Sequence, residues 1–162
     1  MDWNEVTRIE TKGSILTVKD AMIMLSEDEK SPDWPYIECS PGEYIFEINV
    51  PAPFFAHRAR IRKVDSEPAL GKELGAIDVD HAFFGVIDYE VFRDAVSKDY
   101  EEYGDWTAME LDDELAINFS GEIQFDDTKL LYVKSGDGDG TYMCYELVEN
   151  GKQVGIECVF IP

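Results

Sequence analysis

The groups in this chain that could act as general base, nucleophile or zinc ligand are few. They are His57, His81, Cys39, Cys144 and Cys158, with Asp78 and Asp80 close to His81. A cysteine nucleophile needs a histidine beside it in the fold, and no local signature of such a pair is present. Zinc asks for about four ligands in tetrahedral array, and no Cys or His pair here has ligand spacing. Alternation along an extended chain sends Asp80 and His81 to opposite sides. The run Gly136-Asp137-Gly138-Asp139-Gly140 invites a calcium or phosphate reading. Counted from Asp137, however, the sixth residue is Tyr142 and the twelfth is Val148, where a calcium loop needs Gly and Glu. A phosphate loop would be followed by Lys and would not carry two carboxylates. The run reads as a turn. These residues point to no catalytic group, no metal and no cofactor.

The strongest chemical signal is charge. Residues 88–127 hold fourteen acidic side chains and two basic ones, Arg93 and Lys98. Two clusters dominate: Asp99, Glu101, Glu102 and Asp105, then Glu110, Asp112, Asp113 and Glu114. Like charges at this density repel, which suits a solvated face or a surface that meets a basic partner. Tyr103 and Trp106 lie between the clusters. An aromatic anchor ringed by acid resembles a binding hot spot; the simpler reading turns both rings into the core. These ten residues are the expected partner-binding surface. Arg58, Arg60 and Arg62 form a short basic stripe, too small for nucleic acid against the net field and better explained by internal pairing with the acidic segments, or secondarily by a carboxylate ligand.

The whole chain follows the same sign. Its 162 residues carry 14 basic and 35 acidic side chains, a formal charge of −21. That disfavours nucleic acid and anionic membrane and favours a basic protein partner. Solubility alone is the plain alternative. Apolar residues make up 44%, an ordinary share for one globular domain spanning 1–162. The start, Met1-Asp2-Trp3-Asn4-Glu5, has neither the basic flank nor the apolar core of a signal peptide. Three cysteines without CxxC spacing fit reduced thiols. The expectation is a cytoplasmic protein.

The elements that would position these groups are mostly strands. Gly and Pro punctuate the chain at short intervals. Glu43–Val50 alternates, with Tyr44, Phe46, Ile48 and Val50 on one face. Phe54–Val64 is a second candidate, and Ile15–Val18 and Lys129–Val133 are shorter ones; residues 65–80 read as a long loop, ordered or mobile. Asn150-Gly151 signals a type I′ hairpin turn. If those two residues form the loop, Glu149 faces Lys152. A constant register then aligns Thr141, Met143, Tyr145 and Leu147 with Val154, Ile156, Cys158 and Phe160. It also puts Cys144 and Cys158 on opposite faces, which excludes a disulfide. Asp88 can cap a helix over 88–103, with Val91, Phe92, Ala95, Val96, Tyr100 and Tyr103 as its apolar stripe and Gly104 as its end. Thr107-x-x-Glu110 reads as the capping box of a second, shorter helix. The sum is an α+β domain: an antiparallel meander or sandwich with one long helix, a second short one, and a C-terminal hairpin over 141–161.

Three stretches together resemble a bacterial family known only as a domain of unknown function, whose members occur beside secreted polymorphic toxins and are regarded as immunity proteins. They are Pro41-Gly42-Glu43-Tyr44 with the later Ala59-Arg60-Ile61; Val79-Asp80 with Asp88 before a helix; and Ser135-Gly136-x-Gly138-Asp139-Gly140-x-Tyr142 before the closing hairpin. His81-Ala82 and Asp137 depart from the family pattern. The resemblance implies a β-rich fold and an immunity role, and supplies no catalytic residues. Charge and resemblance converge on a non-enzymatic inhibitor of a cationic toxin, such as a nuclease. Two rivals are an acidic mimic of DNA and a hydrolase or small-ligand binder built on His57, His81, Asp78 or Asp80.

Overall fold

Alternation of side chains along the strands dictates a two-sided architecture, and the computed structural model shows where each side goes. It describes residues 1–12, 15–22, 34–53, 55–98, 101, 111–125 and 127–162. Among these described residues, eleven strands and two short helices follow in the order β1 (Asn4–Thr11), β2 (Ile15–Asp20), β3 (Tyr36–Glu38), β4 (Gly42–Asn49), β5 (Arg58–Lys63), β6 (Ala69–Val79), β7 (Phe83–Asp88), α1 (Tyr89–Lys98), α2 (Asp112–Ile117), β8 (Ser120–Phe125), β9 (Thr128–Lys134), β10 (Gly140–Glu149) and β11 (Lys152–Val159). They form two antiparallel sheets, ordered β1-β4-β5-β11-β10-β6 and β3-β2-β7-β9-β8.

The two sheets face each other across the main core. Tyr44, Phe46, Ile48, Ala59 and Ile61 of the six-stranded sheet meet Leu16, Val18, Phe84, Val86, Leu131 and Val133 of the five-stranded one. The alternation expected for Glu43–Val50 is therefore the inner face of β4. The other face of the five-stranded sheet is apolar too. Ile87, Leu130 and Tyr132 pack there under Tyr89, Phe92, Ala95 and Val96 of α1 and Leu115 of α2. A sheet buried on both faces, with helices outside it, makes the molecule three layers deep.

Several expectations change. The long helix is ten residues, Tyr89–Lys98. Asp88 does cap it, accepting the Val91 N–H at 3.3 Å, but Tyr89 takes the buried place given to Val91. Lys98 in the last turn suits the negative end of the helix dipole. Tyr100, Tyr103, Gly104 and the Thr107–Glu110 capping box lie outside the described residues. The second helix that is described, α2, starts at Asp112 without a side-chain cap. Residues 65–80 are not a loop: eleven of them form β6, whose alternation is broken by two register shifts against β10.

The C-terminal hairpin departs most instructively. Asn150 and Gly151 have φ of 52° and 76°, and Glu149 faces Lys152 as expected. Past that pair the register shifts: Val148 faces Gln153, but Leu147 faces Gly155. Val154 is the extra residue of a β-bulge, and one residue of slip exchanges the faces. Tyr142, Cys144, Ile156, Cys158 and Phe160 therefore enter the main core, while Met143 and Tyr145 are left half-exposed. Cys144 directly faces Cys158, and the two form a disulfide with Cα atoms 4.2 Å apart. The exclusion of that bond depended on an unbroken register. Cys39 is the remaining, buried thiol.

Candidate functional site

The layer of helices exposes acidic side chains, and four of the ten residues expected to meet a partner, Glu101, Asp112, Asp113 and Glu114, are among those described. Glu90 and Asp94 on α1, Glu101, and Asp112 and Asp113 in the first turn of α2 are all exposed. The α2 acids are well placed, since carboxylates at a helix N-terminus face its positive end. Ile117 closes the same helix with 81% of its surface exposed. Glu114 is different. It is half-buried and accepts hydrogen bonds from the Tyr132 hydroxyl at 2.9 Å and Asn118 Nδ2 at 3.1 Å. Burial, and then the Glu114 carboxylate, raises the Tyr132 hydroxyl well above the usual phenol range. Glu114 thus ties α2 to β9. Asp99, Glu102, Tyr103, Asp105, Trp106 and Glu110 lie outside the described residues.

The arginine stripe is consumed internally, though not by the acidic segment. Arg60 and Arg62 both hold Glu47 Oε1, at 2.9 and 2.6 Å, and Arg58 holds Glu157 at 2.8 Å. The carboxylates come from β4 and β11, the strands on either side of β5, and both are buried. Trp3 lies over Arg60, with 4.1 Å from guanidinium carbon to ring centroid, and the Asp2 carbonyl accepts from Asn49 Nδ2 at 2.9 Å. The N-terminal residues so lie across the outer face of the six-stranded sheet and cover Arg60, while Arg58 borders a cleft with Leu70, Tyr145 and Phe160.

Asp78 and His81, two of the candidate catalytic groups, have separate partners. Asp78 accepts the Thr141 hydroxyl at 2.7 Å. His81 binds Asp20, whose buried carboxylate accepts from His81 Nδ1 and from the N–H groups of Met22, Asp80 and His81, all within 3.0 Å. This carboxylate stitches β2 to the β6–β7 turn across sixty residues, a partnership that no local spacing announces. Among the described residues no group of three or more His, Cys, Asp or Glu side chains could hold a metal. The 136–140 run is a turn. Gly138 accepts from Ser135 Oγ at 2.8 Å and from the Tyr142 hydroxyl at 2.7 Å, and Asp139 accepts the Ala82 N–H at 2.8 Å. The Tyr of the Gly-Asp-Gly-x-Tyr motif therefore locks its own turn.

Two features went unread in sequence. Lys19 is buried beneath α1, its ammonium donating to the Ala21 carbonyl at 2.9 Å and lying 5.3 Å from the Phe92 ring centroid. The second is a cleft of about 510 Å³ between the edge strands β3 and β6, where Trp34, Tyr36 and Glu38 meet Lys72, Gly75 and Gln153. Its only signal was the Trp34-Pro35-Tyr36 sequence.

No family model matches the chain, nor does any curated protein or solved structure. Among the described residues no helix is long and apolar enough to cross a membrane.

Proposed function

We propose that the protein is a non-enzymatic binding module of the bacterial immunity type, which neutralises a cationic toxin, a nuclease being the natural candidate, by laying its acidic helical layer over the toxin's basic groove. One observation carries this reading. The three arginines are neutralised within the six-stranded sheet by Glu47 and Glu157, whereas the acids of the helical layer, Glu90, Asp94, Glu101, Asp112 and Asp113, stand exposed. The excess of negative charge is thus presented outward, where it steers a basic partner and exacts self-repulsion until one arrives. The motif resemblance around Gly136–Tyr142 supports the same role.

The test starts from the gene's neighbourhood. The purified chain is mixed with the C-terminal module of a large secreted protein encoded beside it. The expected result is a stoichiometric complex whose association slows steeply with salt and weakens in Asp112→Asn/Asp113→Asn. Absence of binding at low salt, or binding indifferent to both salt and these substitutions, overturns the proposal. The cytoplasm is the proposed site of action, and the cysteines test it. Disulfides persist in oxidising compartments and are rare in the cytosol. Protein trapped from cells with three alkylatable thiols fits the cytoplasm, and protein with Cys39 alone reactive after denaturation moves the encounter outside it.

A further inference from the structure

We infer that the seam between β3 and β6 is a binding site for a neutral saccharide, a function separate from the acidic helical layer. The seam is open because of how β6 is built. Its pairing with β10 slips between Gly75 and Glu73 and again between Glu73 and Leu70, and Gly75 takes a φ of +125° that side-chain-bearing residues avoid. Bulges of this kind bend an edge strand and re-aim its side chains, and they gather beside functional sites. The resulting cleft of about 510 Å³ falls in the range of small-molecule sites, about 300–1,000 Å³.

Its lining selects the ligand. Tyr36 is 42% exposed, the most exposed tyrosine among the described residues, and Trp34 beside it is half-buried. Exposed aromatic faces offer flat apolar surface to the C–H face of a sugar ring. Around them stand an acceptor, a donor and an amide. The Glu38 carboxylate enters no hydrogen bond or ion pair among the described residues; Lys72 lines the opposite side; and Gln153 gives its Nε2 to Glu146 at 2.7 Å, keeping its carbonyl oxygen as acceptor. Hydroxyl groups both donate and accept, and so use all three. Charge narrows the class further. A net −21 repels nucleotides and sulfated sugars, and Glu38 and Lys72, one of each sign, leave the cleft itself with no net charge to hold an ionic ligand. A neutral, hydroxyl-rich ring is what remains.

The experiment is calorimetric titration of the full chain with cellobiose, maltose, lactose and chitobiose, after a glycan array has ranked longer neutral oligomers. The expected result is binding of at least one at a Kd of about 1 mM or tighter, weakened about tenfold or more in Tyr36→Ala and Trp34→Ala and clearly reduced in Glu38→Gln, with Asp112→Asn unchanged. Circular dichroism checks that each variant is folded; if Trp34→Ala is not, the exposed Tyr36 still decides. No binding to any array glycan or titrated sugar overturns the inference. So does binding that Tyr36→Ala and Glu38→Gln leave intact, and so does a preference for phosphocholine or a sulfated oligosaccharide.

Discussion

Lys19 is the residue whose protonation the fold resists most visibly. Burial pushes its ammonium down to about 7, while neighbouring Asp20 pulls the other way. The unfolded chain holds that proton up to about 10.5, so between these values the unfolded state binds more protons and stability rises with pH. Below pH 7 both states carry the charge and the penalty is felt in full. Urea unfolding should therefore show increasing stability from about pH 7 to 9, and Lys19→Met should flatten that slope and stabilise the protein at neutral pH. A slope unchanged in the variant would place its cause elsewhere. Glu47 is the opposite case, a buried carboxylate the fold depends on. Glu47→Gln leaves Arg60 and Arg62 without their shared counter-charge, and a loss of about 2–3 kcal/mol in unfolding free energy is expected. A change within error would mean that water already serves the two guanidiniums.

Among the elements, β11 shows what a strand pattern reveals and what it hides. Its turn and first pair were legible, because Asn-Gly fixes backbone conformation locally. The bulge was not, because it depends on a neighbour: a Cβ on Gly155 would run into the Ile61 carbonyl oxygen and the Arg62 backbone of β5. A glycine inside a strand was the signal, and it went unread beside the regular pattern around it. Gly155→Ala should thus cost at least the about 1–3 kcal/mol of ordinary overpacking, seen as a lowered melting temperature with the β11–β5 pairing disturbed. Normal stability would show that the strands part easily. The same lesson covers β6 and its two slips, which made a strand read as a loop. It covers the acidic surface too: composition identified the charge, but only tertiary placement separated Glu114, which braces Tyr132, from Asp112 and Asp113, which face solvent. The arginine stripe paired internally as its isolation in an acidic chain suggested, with partners that only strand order could name.

For the molecule as a whole, charge of one sign is a standing load. At −21 the folded surface repels itself, and that repulsion is screened as the Debye length falls from about 30 Å at 0.01 M salt to about 8 Å at 0.15 M. The melting temperature should rise over this interval in a simple salt such as sodium chloride, and a flat or falling curve would mean that the charges are already neutralised in pairs. The strand order carries a further consequence. β5 and β6 follow each other in sequence, yet the β10–β11 hairpin lies between them in the six-stranded sheet. A ribosome must pass all the other strands of that sheet before it can close, because the wedge that joins its two halves follows them in the chain. Until then β5 and β6 each offer an open edge to any passing strand. Residues 140–162, supplied as a separate peptide, should be able to complete a chain that ends before them, which makes the protein a candidate for splitting into two pieces that reunite.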